Sequence, residues 1–193
     1  MLNIITDREL IIDTEKYDVV LVGTSIYCML TAGFQSKMRF KYPFIEDENN
    51  KTSYGDIRKL GKRLTLTTDR NPIISLMYIC GYPRSNKIFI DYESLEKCLS
   101  TANYEFSGMN VASTIIGTSK FDGNGDREKC LEIINKTTSN INLTLYDYEQ
   151  KTRREEINEY KKYIYSFKKL DKEKYKYLLE NEKKELKKLY LNG

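Results

Sequence analysis

Residues 115–134 read IIGTSKFDGNGDREKCLEII, and their order of residue types decides the fold class. The β-branched run Val111–Ile116 predicts a strand. Gly117–Asp126 holds three glycines and predicts a loop. Arg127–Thr138 predicts a helix that turns Cys130, Leu131, Ile133 and Ile134 inward. A strand that feeds a helix through a glycine-rich loop can present backbone N–H groups to an anion, because the helix N-terminus adds positive partial charge. Glycine serves where backbone must approach a phosphate or take positive φ. No Gly-Lys-Ser/Thr follows, so the stretch is not a Walker loop. It also comes late in the chain, unlike a dinucleotide fingerprint.

The same alternation extends outward. Asp18–Thr24 (DVVLVGT) is a continuous apolar run suited to a strand buried on both faces. It ends at Gly23-Thr24-Ser25. Met29–Tyr42 follows with Leu30, Phe34, Met38 and Phe40 as a helical stripe, stopped by Pro43. Glu46–Ser53 reads as a polar loop. Arg63–Thr67, Ile73–Ile79 and Ile141–Tyr146 read as strands, and Asp91–Asn103 as a helix. Near the start, Asn3–Thr6 and Glu9–Ile12 read as two short strands around Asp7-Arg8. Strands alternating with helices predict an α/β domain with a mainly parallel or mixed sheet, covered on both faces. The expected domains are 1–150, the α/β body, and 151–193, a helical extension.

Composition narrows the function. Of the net charge of +4, residues 151–193 carry 14 Lys/Arg against 8 Asp/Glu, leaving the body slightly acidic. The body therefore lacks the basic surface of a nucleic-acid binder. There is no histidine, which excludes Ser-His-Asp triads, Cys-His pairs and His-ligated metals. Cys28, Cys80, Cys98 and Cys130 form no CxxC pair, so buried thiols are expected and no metal or cofactor site is read. The first residues lack a signal-peptide layout and no apolar run is long enough to span a membrane. A reducing, cytoplasmic setting is expected (host cytoplasm if the chain is viral).

The ordered set of motifs resembles the macrodomain family across residues 2–148. Tyr17–Val22 resembles its early strand, which opens with Asp and runs apolar. Ala32-Gly33-Phe34-Gln35, then Lys41-Tyr42-Pro43, resembles its first phosphate loop, helix and helix-ending proline. Leu60-Gly61, Asp91–Leu95, and Ile116–Ser119 with Gly123–Asp126 match later landmarks. The resemblance implies a three-layer α/β/α, macrodomain-like mixed sheet that binds ADP-ribose at the ends of its central strands. It implies Asp7 at the adenine amino group and Gly23, Thr24 and Ser25 at the end of the early strand. Gly33, Phe34 and Gln35 would line one side of the diphosphate. Gly117, Thr118, Ser119, Lys120, Phe121 and Gly123 would wrap the other side and the distal ribose, and Tyr146 or Tyr148 would stack on adenine.

Departures from the family bear on catalysis. Hydrolytic macrodomains carry Asn-Ala-Ala-Asn after the early strand, where this chain has Val22-Gly23-Thr24-Ser25. Asp122 and Asp126 are the candidate catalytic groups for a hydrolase of the ADP-ribose 1″-phosphate phosphatase or ADP-ribosyl hydrolase type, although Asp126 also reads as a helix cap. The competing reading is a non-catalytic reader or sequestering protein for an NAD-derived nucleotide. In the tail, Lys and Tyr interleave at Tyr160–Lys162 and Lys174–Tyr177. That mixture suits nucleic-acid or scaffold binding. It equally suits a solvated helical pair that packs on the domain or on a second copy, and the interspersed glutamates favour this second reading.

Overall fold

A computed structural model describes residues 2–6, 9–30, 33–67, 72–81, 88–119 and 122–147. Among the described residues six strands appear in chain order: β1 (Asn3–Ile5), β2 (Val19–Ser25), β3 (Arg63–Leu66), β4 (Ile73–Cys80), β5 (Asn110–Thr114) and β6 (Asn142–Tyr146). Five α-helices among the same residues connect them: α1 (Leu10–Asp13), α2 (Gly33–Lys41), α3 (Phe44–Asn50), α4 (Tyr92–Glu105) and α5 (Arg127–Thr137). The strands form one sheet in the order β1-β6-β5-β2-β4-β3. Every pairing is parallel except β3 with β4. This is the mixed, doubly covered α/β architecture that the sequence predicts.

β2 sits at the centre because each of its residues is buried. Val19 and Leu21 face one apolar cluster with Leu95, Leu99, Cys130 and Ile134 of α4 and α5. Val20 and Val22 face the other, with Leu10, Met38 and Ile45 of α1, α2 and α3. A strand buried on both faces reads as an unbroken apolar run rather than an alternating one. Asp18 pins its start: its carboxylate accepts from the Asn110 N–H at 2.9 Å, and its carbonyl accepts from the Ile73 N–H at 2.8 Å.

Two local expectations are corrected. Glu9–Ile12 is not a strand. It enters α1 and a 3-10 turn at Thr14–Lys16, which carry Leu10 and the Asp13 carboxylate inward. One polar residue followed by the short apolar run Leu10-Ile11-Ile12 fits one helical turn as well as a strand. Glu46–Ser53 is not a loop throughout, since α3 spans Phe44–Asn50. Ile45 is fully buried and Phe44 packs partly buried against the same cluster, while Glu46 and Asp47 in the first turn favour the helix N-terminus. The chain divides into two units, Met1–Glu149 and Gln150–Gly193. The helical extension read for 151–193 lies outside the described residues.

Candidate functional site

β2 and β5 are neighbours in the sheet, yet their chains leave in opposite directions. From β2 the chain passes to α2, on the Met38 face, and returns through β3 to β4. From β5 it passes to α5, on the Cys130 face, and returns as β6. Loops that diverge to opposite faces open a crevice beyond the carboxyl ends of the strands, the usual ligand position in such sheets.

The first loop leaves β2 at Gly23, Thr24 and Ser25. Thr24 and Ser25 are buried and work for the loop itself: Thr24 Oγ1 donates to the Met29 carbonyl at 3.3 Å, and Ser25 Oγ accepts from the Tyr27 N–H at 3.2 Å. Gly23 lies against Ile116, Ile79 and the Asp122 carboxylate, and a Cβ there would come within 2.9 Å of both isoleucines. Gly33 begins α2 at φ 58°, and Phe34 packs on the α2 side of the core. Gln35 is buried, and its Nε2 has no hydrogen-bond partner among the described residues. The first turn of α2 has no acidic residue, so its N–H groups keep their attraction for an anion. Lys37 joins this helix to Glu9 through an ion pair at 2.9 Å, tying it to the segment after β1.

The second loop is organised by glycines that cannot be replaced without movement. Gly117 sits at φ 85°, and a Cβ there would lie 2.1 Å from Ile90 Cδ1. At Gly123 and Gly125 a Cβ would approach the Gly117 carbonyl oxygen to 2.6 and 2.9 Å. The Gly125 N–H donates to that carbonyl at 2.8 Å, and the Gly123 carbonyl accepts from the Phe89 and Ile90 N–H groups. Thr118 closes the turn by donating from Oγ1 to the Ile115 carbonyl at 2.7 Å. The Ser119 carbonyl accepts from the Asp122 and Asn124 N–H groups. The segment before α4 therefore braces the loop. Spacing alone does not reveal that brace, because Phe89 and Ile90 read as ordinary apolar residues.

The two candidate carboxylates have structural partners. Asp122 is 8% exposed and folds beneath the loop, where Oδ2 accepts from the Gly117 N–H at 3.2 Å. Its Oδ1 is buried with no hydrogen-bond partner among the described residues. Burial raises this carboxyl to about 7, against the opposing pull of the Gly117 and Ser119 backbone N–H groups. Asp126 caps α5, accepting from the Lys129 N–H at 2.8 Å, while its own N–H donates to the Tyr92 hydroxyl at 2.8 Å. With Asp126 and Glu128 at its start, α5 is less welcoming to an anion than α2.

Tyr146, read together with Tyr148 as the alternatives for stacking on adenine, lies in the core. It is 1% exposed, and its hydroxyl bonds to the Asp13 carboxylate at 3.0 Å and the Tyr17 hydroxyl at 2.9 Å. Burial and these partners raise its phenol well above the ordinary range. Asp7, Lys120, Phe121 and Tyr148 lie outside the described residues. An open depression of about 420 Å³ lies at the opposite ends of the strands, lined by Asn3, Tyr17, Asn110, Asn142 and Thr144 among others. It contacts neither loop. Among the described residues, no group of three or more His, Cys, Asp or Glu could hold a metal ion. No helix there is long and apolar enough to cross a membrane.

A parallel-centred sheet with loops diverging at β2 and β5 defines an α/β/α domain with a topological switch point between those strands. Compared with solved structures, this is the macrodomain fold. The macrodomain of Mycobacterium tuberculosis DarG superposes with a TM-score of 0.61 at 12% identity, covering 76% of this chain and 97% of that one. A protein of unknown function from Bacteroides thetaiotaomicron gives 0.61 at 15% identity, covering 76% and 98%. Thermosipho africanus DarTG in complex with ADP-ribose gives 0.58 at 13% identity, covering 78% of this chain and 43% of that one. No protein-family model and no curated protein sequence matches the chain.

Proposed function

We propose that this domain binds ADP-ribose or an ADP-ribose-derived nucleotide as a non-catalytic reader. The observation that carries this reading is the divergence of the β2 and β5 connections to opposite faces of the sheet, at the switch point between those neighbouring strands. In this pose the diphosphate meets the acid-free first turn of α2, and Gln35 Nε2 gives it a buried donor. Asp7 and Tyr148 would meet the adenine, and Lys120 and Phe121 the distal ribose. The ADP-ribose bound to the Thermosipho africanus relative supports the choice of ligand.

The hydrolase reading is weaker because both candidate carboxylates have other work. Asp126 is a helix cap, and Asp122 points into the loop that it holds. A general base needs reach to its proton as well as a suitable protonation state. The test is calorimetric titration with ADP-ribose, AMP and NAD, with turnover assays on ADP-ribose 1″-phosphate and ADP-ribosylated protein. Selective ADP-ribose binding without turnover is expected. Turnover lost in Asp122→Asn with binding retained would restore the enzyme reading. Binding to none of the three nucleotides would remove the proposal and turn attention to nucleic-acid binding by residues 151–193.

A further inference from the structure

A cluster of reactive side chains joins Cys28, on the β2–α2 connection, to Lys59. Lys59, 8% exposed, belongs to a 3-10 turn at Ile57–Lys59 and points inward. Its Nζ donates to the Ile26 carbonyl at 3.1 Å, to Thr52 Oγ1 at 2.7 Å and to Cys28 Sγ at 3.0 Å. It also lies 4.1 Å from the centroid of the Tyr78 ring. No carboxylate among the described residues pairs with it. A buried ammonium is costly without an opposite charge, so its placement on a sulfur calls for a reason. In the same cluster, fully buried Asn49 accepts from the Tyr78 hydroxyl at 2.7 Å, yet its Nδ2 has no partner among the described residues.

Cys28 is set apart from the other three cysteines. Cys80, Cys98 and Cys130 are fully buried, and burial pushes their thiols up, to about 12 for Cys98 and Cys130. Such thiols are inert toward oxidants. Cys28 retains 9% exposure, holds φ 56° and has a cation at hydrogen-bond distance. Thr52 Oγ1 touches both reactive atoms, 3.3 Å from the sulfur and 2.7 Å from the nitrogen.

We propose that Cys28 and Lys59 form a peroxide-responsive pair that closes into a reversible sulfur–nitrogen cross-link. Hydrogen peroxide transfers one oxygen to the Cys28 sulfur, which is oxidised by two electrons to sulfenic acid while the peroxide is reduced to water. A neighbouring ammonium favours this step by stabilising negative charge on sulfur and oxygen as the O–O bond breaks. Lys59 Nζ then gives one proton to the sulfenic hydroxyl and attacks the sulfur with the lone pair this frees. The S–O bond breaks as water leaves, an S–N bond forms, and the second extra proton on nitrogen passes to solvent. Condensation of a sulfenic acid with a nearby nitrogen is established thiol chemistry, and here no atom needs to move aside between the partners. The bond would tie the start of the β2–α2 connection to the 57–59 turn, and a small thiol would reverse it.

Peptide mass spectrometry of the full chain, before and after mild hydrogen peroxide, tests the proposal. The expected product is a peptide pair joined through Cys28 and Lys59, lighter than its two parts by two hydrogens, uncut by trypsin after Lys59 and released by dithiothreitol. Cys80, Cys98 and Cys130 should remain unmodified in the native protein. Lys59→Arg keeps the positive charge but removes the attacking amine, and should give several-fold more sulfenic acid at Cys28, trapped by dimedone. Cys28→Ser should abolish the link with the fold kept. Conversion of wild-type Cys28 to sulfinic or sulfonic acid without linkage, or no reaction at Cys28, would overturn the proposal. Equal dimedone labelling of wild type and Lys59→Arg would do the same.

Discussion

Replacing Asp122 by Asn offers a quantitative test of how the second loop is built. Asp122 is buried beneath the loop with one oxygen on the Gly117 N–H and the other unpartnered among the described residues. Its carboxyl is raised from 3.8 to about 7. The folded chain therefore keeps a proton there that the unfolded chain gives up at lower pH. Stability from this group is fully present below about 3.8 and is lost as pH rises through about 7. At about 1.4 kcal/mol per unit, the whole window is worth about 4 kcal/mol. Between pH 4.5 and pH 8 the change is about 3 kcal/mol, or roughly 6–12 °C in Tm for a domain of this size. Asn keeps the shape and the acceptor for Gly117 but carries no charge at any of these pH values. Urea unfolding of wild type and variant across that range isolates the group, because the other carboxylates cancel in the difference. The variant should gain on wild type by about 3 kcal/mol from pH 4.5 to pH 8. Parallel stability curves would refute the buried, raised carboxyl.

Three further outcomes follow from single contacts. Gly117→Ala combines a positive-φ penalty of about 1–2 kcal/mol with overpacking against Ile90 of about 1–3 kcal/mol, since Gly123 and Gly125 leave Ile90 little room to retreat. Thermal unfolding should show a loss of about 2–5 kcal/mol, with weaker ADP-ribose binding by calorimetry. Gln35→Leu removes a buried donor that lacks a partner among the described residues. Stability should hold or rise, while ADP-ribose affinity falls by roughly ten- to a hundredfold if Nε2 meets a phosphate oxygen; unchanged affinity would move the diphosphate away from Gln35. Tyr146→Phe strips a hydroxyl from buried Asp13 and should cost about 1–3 kcal/mol in urea unfolding with no change in ADP-ribose affinity.

The sheet was legible because its central strands, Val19–Ser25 and Ile73–Cys80, are continuous apolar runs bounded by turn residues. The Asp126 cap was legible for a similar local reason, as was the Gly117–Asp126 loop. Short elements were harder. Leu10–Asp13 and Phe44–Asn50 span too few residues for periodicity to separate helix from strand or loop. Roles that depend on distant partners could not be read. Tyr146 ends a strand as an adenine-stacking residue would, but only the fold brings Asp13 and Tyr17 to its hydroxyl. The Lys59 contact to Cys28 spans 31 residues and has no signature in spacing. In the sequence Cys28 therefore has no visible partner, and the amine beside it emerges only from packing.

The central claim is that the β2 and β5 loops together receive the diphosphate of ADP-ribose. Titration of ¹⁵N-labelled protein with ADP-ribose tests it directly, because each loop amide reports for itself. The account predicts saturable shifts at Gly33, Phe34 and Gln35 and at Gly117, Thr118 and Ser119. The amides of Asn3, Asn110 and Asn142, at the opposite ends of the strands, should not respond. Shifts confined to one loop, shifts centred on those asparagines, or no saturable shift would contradict it.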